Sequence, residues 1–143
     1  MKKVLVLGAG LVARPLVSYL LSQPDIHLTL ADMDEHRVAQ LLAGHARGSA
    51  LRLDAADDDA LGSAVAAADL VVSLLPWTMH VAVARHCLAH GRHLVTASYV
   101  KDEMRALDEE AREKGLIFLN GIGVDPGIDH MAAMGVIDGV KSK

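Results

Sequence analysis

The chain is 143 residues long, 52% hydrophobic and mildly acidic, with a formal net charge of −4. That length suits one domain with a real core, and the charge supplies no basic stripe for nucleic acid. Aromatic residues make up 3% and there is one cysteine, Cys87, which excludes base-stacking platforms and an intramolecular disulfide.

No apolar run approaches the roughly 18 residues that mark a membrane span. A lone cysteine fits a reducing compartment, and the expected setting is cytoplasmic. The opening MKKVLVLGAGLVARPLV reads in two ways. Two lysines before an apolar stretch look like an export signal. The stretch, however, holds two glycines, runs straight into Arg14 and Pro15, and continues as the amphipathic LVSYLL. A cleavage region would be small and polar, so the segment reads as a strand, a glycine turn and a helix.

The rest of the chain repeats that alternation. Residues 4–8 form the first strand, and 11–22 a helix with Pro24 beyond its end. HLTLAD (27–32) is the second strand; Asp34 caps a helix through Leu42, closed by Gly44. ALRLD (50–54) is the third, followed by an alanine-rich helix to about Ala67, capped by Asp57 or Asp58. LVVSLL (70–75) is apolar throughout, as for a central parallel strand buried on both faces, and Pro76 ends it.

A helix from about Met79 to His90 stops at Gly91. HLVTAS (93–98) is the fifth strand. Asp102 caps one continuous helix, EMRALDEEAREK, which ends at Gly115. LIFLN (116–120) is the sixth strand, and a glycine-rich turn leads to a last helical piece over 129–141. Six strands joined by short helical crossovers predict a doubly wound α/β domain of the Rossmann type, with a mostly parallel sheet.

GAGLVA fits the pattern G-x-G-x-x-A. Gly8 permits the tight turn, Gly10 lets a pyrophosphate approach the backbone, and Ala13 lets helix and strand pack closely. The helix N-terminus adds free N–H groups and the positive end of its dipole. Asp32 closes the second strand 24 residues after Gly8, where a carboxylate accepts the adenosine ribose hydroxyls and repels a 2′-phosphate. Asp34 and Glu35 add negative charge, which favours NAD over NADP. Arg37 is the counter-argument, because an arginine there can hold a phosphate.

Ligands of such sheets lie beyond the carboxyl ends of the strands. The residues gathered there are Gly8 to Val12, Leu75-Pro76-Trp77-Thr78 with His80 a turn later, Thr96 to Tyr99, Asn120 and the loop GIGVDPGIDH. Other clusters carry less. His86 and His90 share a helix face but suit a helix C-terminus better than a zinc site, so no metal is expected. Cys87 sits mid-helix among apolar residues and reads as a small apolar side chain.

The segments VLVLGAGLVARP, DLVVSLLPWTMH, LVTASYVKDEMRALDEEAREKGLIFLN and IGVDPGIDHMAAM resemble the amino-terminal part of glutamate-forming saccharopine dehydrogenases, also called saccharopine reductases. TASYV and GVDPGIDHM are the most specific of these. The resemblance implies an NAD(P)-linked oxidoreductase that acts on a C–N bond in lysine metabolism. It interconverts saccharopine with glutamate plus aminoadipate semialdehyde. It further implies cofactor contacts at Gly10, Leu11, Val12, Asp32, Met33 and Leu75. Ser98, Tyr99, Asp125 and Pro126 would stand where cofactor and amino-acid substrate meet.

The catalytic acid–base group is not assigned. Where the family has Glu after the strand-six Asn, this chain has Gly121. Family members are much longer, so residues 1–128 correspond to the dinucleotide-binding domain. Residues 129–143 correspond to a terminal helix leading toward a substrate or dimerisation domain absent from this chain. The chain by itself is expected to bind dinucleotide, to turn over poorly and to show some tendency to dimerise. Rival readings are a carboxynorspermidine-type dehydrogenase and a stand-alone NAD(H)-binding regulatory module.

Overall fold

The computed structural model describes residues 1–141. Six strands form one sheet: β1 (Lys2–Leu7), β2 (Ile26–Asp32), β3 (Gly48–Arg52), β4 (Leu70–Ser73), β5 (His93–Thr96) and β6 (Phe118–Leu119). Their order across the sheet is β3-β2-β1-β4-β5-β6, and every pairing is parallel. The expected mostly parallel sheet is therefore parallel throughout. The order reverses between β1 and β4, which opens a crevice at their carboxyl ends.

The helices are α1 (Ala13–Ser22), α2 (Glu35–Leu42), α3 (Asp58–Ala66), α4 (His80–His90), α5 (Asp102–Arg105), α6 (Asp108–Glu113) and α7 (Ile128–Lys141). Alternating side chains of β1 divide the core. Val4 and Val6 pack with Val17, Leu20, Leu28 and Val38 under α1 and α2. Leu5 and Leu7 pack with Leu61, Val65, Val83 and Cys87 under α3 and α4. Val4 to Leu7 are all buried, and burying each such side chain contributes about 1.5–3 kcal/mol. That double burial makes β1 the axis on which the crevice is built.

Local chemistry sets the helix ends. Asp34 accepts the Arg37 N–H at 3.1 Å and caps α2. Of the two candidates for α3, Asp57 is the cap, accepting the Ala60 N–H at 3.0 Å. Several sequence expectations need correction, strand bounds among them: β1 begins at Lys2 and ends at Leu7, β3 is Gly48–Arg52, β4 stops at Ser73 and β6 is Phe118–Leu119. The helix expected over EMRALDEEAREK is two pieces, α5 and α6. The chain tightens at Leu107, whose N–H bonds to Met104 C=O at 3.1 Å. Met104, Leu107 and Ala111 thereby all reach the core.

Asp102 lies inside the first turn of α5, and Lys101 holds the cap position. The left-handed residue that closes α2 is Ala43, at φ 47°, ahead of Gly44. The fifth strand stops at Thr96 rather than Ser98, which frees Ala97 to Val100 as a loop over the crevice. No residue of α7 is buried. Residues 142 and 143 of the terminal segment lie outside the described residues.

Candidate functional site

The glycine turn is built as its residues require. Gly8 adopts φ +103°, and a Cβ on it would lie 3.2 Å from the Leu74 backbone of the neighbouring strand end. A Cβ on Gly10 would meet nothing within 4 Å, because it points into the open crevice. Ala13 is fully buried against the sheet. No side chain caps α1. Among the described residues, the N–H groups of Gly10, Leu11 and Val12 have no protein partner. Leu11 and Val12 are exposed. Three unmet donors at a helix N-terminus fit a pyrophosphate.

Asp32 has a role that its position in the sequence does not disclose. One carboxylate oxygen accepts the Ala9 N–H at 2.7 Å and the other the Asp34 N–H at 2.9 Å. The end of β2 thus holds the glycine turn at the end of β1. Beside that turn, Arg14, Arg37 and Gln40 line a cleft with Ala9, Gly10, Leu11 and Leu41. Among the described residues neither guanidinium has an acidic partner.

On the other side of Asp32 lies a cavity of about 250 Å³ lined by Leu7, Ala31, Asp32, Met33, Leu53, Asp54, Ala55, Leu75, Pro76 and Met79. Its apolar walls and rim carboxylates suit a flat base with its ribose. Asp32, Met33, Leu75 and Pro76, separate in sequence, meet here.

The second group of expected residues meets in a cavity of about 420 Å³ lined by Trp77, Ala97, Ser98, Tyr99, Val100, Lys101, Asp125 and Pro126. The Tyr99 hydroxyl donates to the Asp125 carboxylate. That bond first, then desolvation and the charges of Asp125 and Asp129, holds the phenol above its ordinary pKa. The Lys101 ammonium sits 4.7 Å from the centre of the Trp77 ring. Asp129 accepts the Gly127 N–H at 2.8 Å and steadies the loop before α7.

Gly121 stands at φ +69° and donates its N–H to the Ser98 C=O at 3.0 Å. A glutamate would be strained in that conformation. The departure from the family's residue is therefore matched by the local backbone.

The sequence places His80 near the crevice but gives it no role there. It opens α4, is buried, and places Nδ1 2.9 Å from Ser73 Oγ and Nε2 2.8 Å from Ser98 Oγ. Burial lowers its pKa and favours the neutral ring. The available signal was its position. A histidine in the first turn of a helix meets the positive end of the dipole, which disfavours a charged surface role. His86, by contrast, pairs with Asp58 at 2.8 Å and stacks on His90. Among the described residues no cluster of three or more His, Cys, Asp or Glu side chains could hold a metal. No helix there is long and apolar enough to cross a membrane.

Comparisons with known proteins agree with this geometry. The family model described as "Saccharopine dehydrogenase NADP binding domain" matches residues 4–119. A saccharopine dehydrogenase [NADP(+), L-glutamate-forming] of Schizosaccharomyces pombe is 39% identical over 140 residues, covering 98% of this chain and 31% of that protein. The mitochondrial alpha-aminoadipic semialdehyde synthase of Bos taurus is 36% identical, covering 98% of this chain and 15% of its own.

The solved apo histidine-tagged saccharopine dehydrogenase (L-Glu forming) of Saccharomyces cerevisiae superposes with a TM-score of 0.90 at 37% identity. It covers 99% of this chain and 32% of that one. The chain thus spans about a third of the length of the saccharopine dehydrogenases it matches. With its glycine turn, parallel sheet and matched sequence, it belongs to the saccharopine dehydrogenase NADP-binding domain family.

Proposed function

We propose that this chain is the dinucleotide-binding part of an oxidoreductase that interconverts saccharopine and water with glutamate plus aminoadipate semialdehyde. The observation that carries the reading is the meeting of four sequence-distant segments at one edge of the sheet. These are the Gly8–Val12 turn, Asp32-Met33, Leu75-Pro76 and the Ser98–Tyr99 loop facing Asp125-Pro126. When bound, the dinucleotide supplies or accepts a hydride at its nicotinamide ring.

The chain's own residues do the rest. The free N–H groups of Gly10, Leu11 and Val12 hold the pyrophosphate, with Gly8 and Ala13 shaping the turn. Met33, Leu75 and Pro76 enclose the base. Pro126 closes the cofactor side of the second cavity, where Ser98, Tyr99 and Asp125 face the amino-acid substrate.

We further infer NADP(H) in preference to the NAD that Asp32 suggests. Both Asp32 oxygens already accept backbone N–H groups, so the carboxylate is less free for the ribose. Among the described residues Arg14 and Arg37 have no acidic partner beside the turn, where a 2′-phosphate would find them. The named relative from Schizosaccharomyces pombe carries NADP(+) in its name.

Residues 1–128 are the binding domain, and the segment from 129 onward leads toward a substrate or dimerisation domain. The bare α7, with Met131, Met134, Ile137 and Val140 exposed, supports that role and a tendency to self-associate. The setting is cytoplasmic, on the strength of the lone cysteine, although the Bos taurus relative is mitochondrial by name.

The test is calorimetric titration of the chain with NADPH and NADH, repeated on Arg37→Ala. NADPH is expected to bind more tightly. Arg37→Ala should weaken NADPH by about tenfold, equal to roughly 1.4 kcal/mol, while NADH is unchanged. Tighter NADH binding restores Asp32 to the ribose, and binding of neither dinucleotide defeats the cofactor reading.

A further inference from the structure

Ser73, His80 and Ser98 form a line of three polar side chains from the middle of the sheet to the crevice. Ser73 is fully buried in β4, and among the described residues its hydroxyl has one partner, His80 Nδ1. The other ring nitrogen faces Ser98 Oγ, which borders the second cavity. A neutral imidazole carries one proton, so the ring has two arrangements.

With the proton on Nδ1, the ring donates to Ser73. The buried Ser73 O–H proton then has no acceptor, which is costly in an apolar interior. With the proton on Nε2, Ser73 donates to Nδ1, the ring donates to Ser98 Oγ, and every buried proton is used. Burial of the ring also opposes the doubly protonated form.

We propose that His80 is a positioning residue that fixes the polarity of Ser98. It holds its proton on Nε2, so the Ser98 hydroxyl proton turns outward and donates to an acceptor oxygen of the bound ligand. That oxygen is the carboxamide of a nicotinamide or a carboxylate of the amino-acid substrate. The Ser98 main chain is already held by the Gly121 N–H at 3.0 Å. The hydroxyl proton is therefore the remaining freedom at this point, and the relay removes it. The ligand half of the inference rests on the proposed cofactor site, whereas the tautomer half does not.

The tautomer is read directly from long-range proton–nitrogen correlations of the 15N-histidine-labelled chain, with His80 identified by its loss in His80→Gln. A protonated Nε2 beside a bare Nδ1 is expected. A protonated Nδ1, or a doubly protonated ring at neutral pH, overturns the proposal. Ser73→Ala removes the buried donor, and the ring signal should become a mixture of tautomers.

Binding supplies the second arm. His80→Gln places an amide near the Ser98 side and His80→Asn places one near the Ser73 side. Gln should retain NADPH affinity better than Asn. Loss of the donor in Asn or in Ser98→Ala should weaken NADPH by about three- to tenfold. The same variants should leave 2′-phospho-ADP-ribose, which lacks the nicotinamide, unchanged.

Unchanged NADPH affinity together with weakened saccharopine binding in the presence of NADPH assigns the acceptor to the substrate carboxylate. Equal losses for NADPH and 2′-phospho-ADP-ribose, or losses for none, overturn the role of Ser98. Should the unaltered chain bind no dinucleotide, the cofactor reading fails and the tautomer measurement still decides the relay.

Discussion

The carboxylate of Asp32 accepts the N–H of Ala9 at 2.7 Å across the top of two neighbouring strands. With its second bond, from Asp34 N–H, it ties the glycine turn to the start of α2. The acid thus organises the binding loop before any ligand arrives.

Asp32→Ala is expected to destabilise the chain by about 1–3 kcal/mol, because two backbone donors lose their acceptor. Denaturant unfolding measures this. NADPH and NADH affinities should fall together, since the loop itself loosens. A variant that keeps full stability and loses only NADH binding would return Asp32 to a purely ribose-binding role.

The two glycines of the turn separate stability from binding. Gly8→Ala is expected to cost about 1–3 kcal/mol, since φ +103° strains any side chain and Leu74 backbone lies 3.2 Å from the added carbon. Gly10→Ala should leave stability within about 0.5 kcal/mol, because its Cβ meets nothing. Dinucleotide affinity should nonetheless drop by about tenfold as that carbon fills the phosphate approach. Thermal unfolding and calorimetry on the pair decide both.

Tyr99 should titrate above its ordinary phenol value of about 10, held there chiefly by Asp125. Phenolate absorbance in a Tyr19→Phe background reads it, and Asp125→Ala should bring the midpoint down. The folded value lies above the unfolded one. The contribution to stability is therefore complete below the ordinary value and disappears as pH climbs through the folded one. An unmoved midpoint in Asp125→Ala would show that the bond does not persist in solution.

Cys87 is fully buried, and burial pushes its thiol up to about 12, with Arg92 pulling the other way. The thiolate is the reactive form, so Ellman's reagent should leave the native chain unlabelled at pH 8 and react promptly in urea. Stoichiometric labelling of the native chain would contradict the packing of α4.

The fold was readable in the sequence because its signals are local and repeated. Apolar runs such as LVVSLL mark where a strand lies, though β4 stops at Ser73, and capping acids such as Asp34 and Asp57 fix helix starts through bonds within a few residues. The glycine turn was readable for the same reason. The break between α5 and α6 was not, since it answers to the core contacts of Met104 and Leu107 and the burial of Ala111 rather than to propensity. Nor was the double duty of Asp32, which depends on a bond between residues 23 apart. His80 was placed at the crevice but its role was not legible, because its partners, Ser73 at the end of β4 and Ser98 in the loop after β5, meet only in the fold.

Trp77 is the single tryptophan of the chain, and it stands at the rim of the second cavity with the Lys101 ammonium over its ring. An indole so placed makes the molecule its own optical gauge. A ligand that enters the cavity and displaces the lysine changes the field on the ring and hence its emission. Occupancy of the reacting end can then be followed without a label, separately from capture of the adenosine end some distance along the crevice.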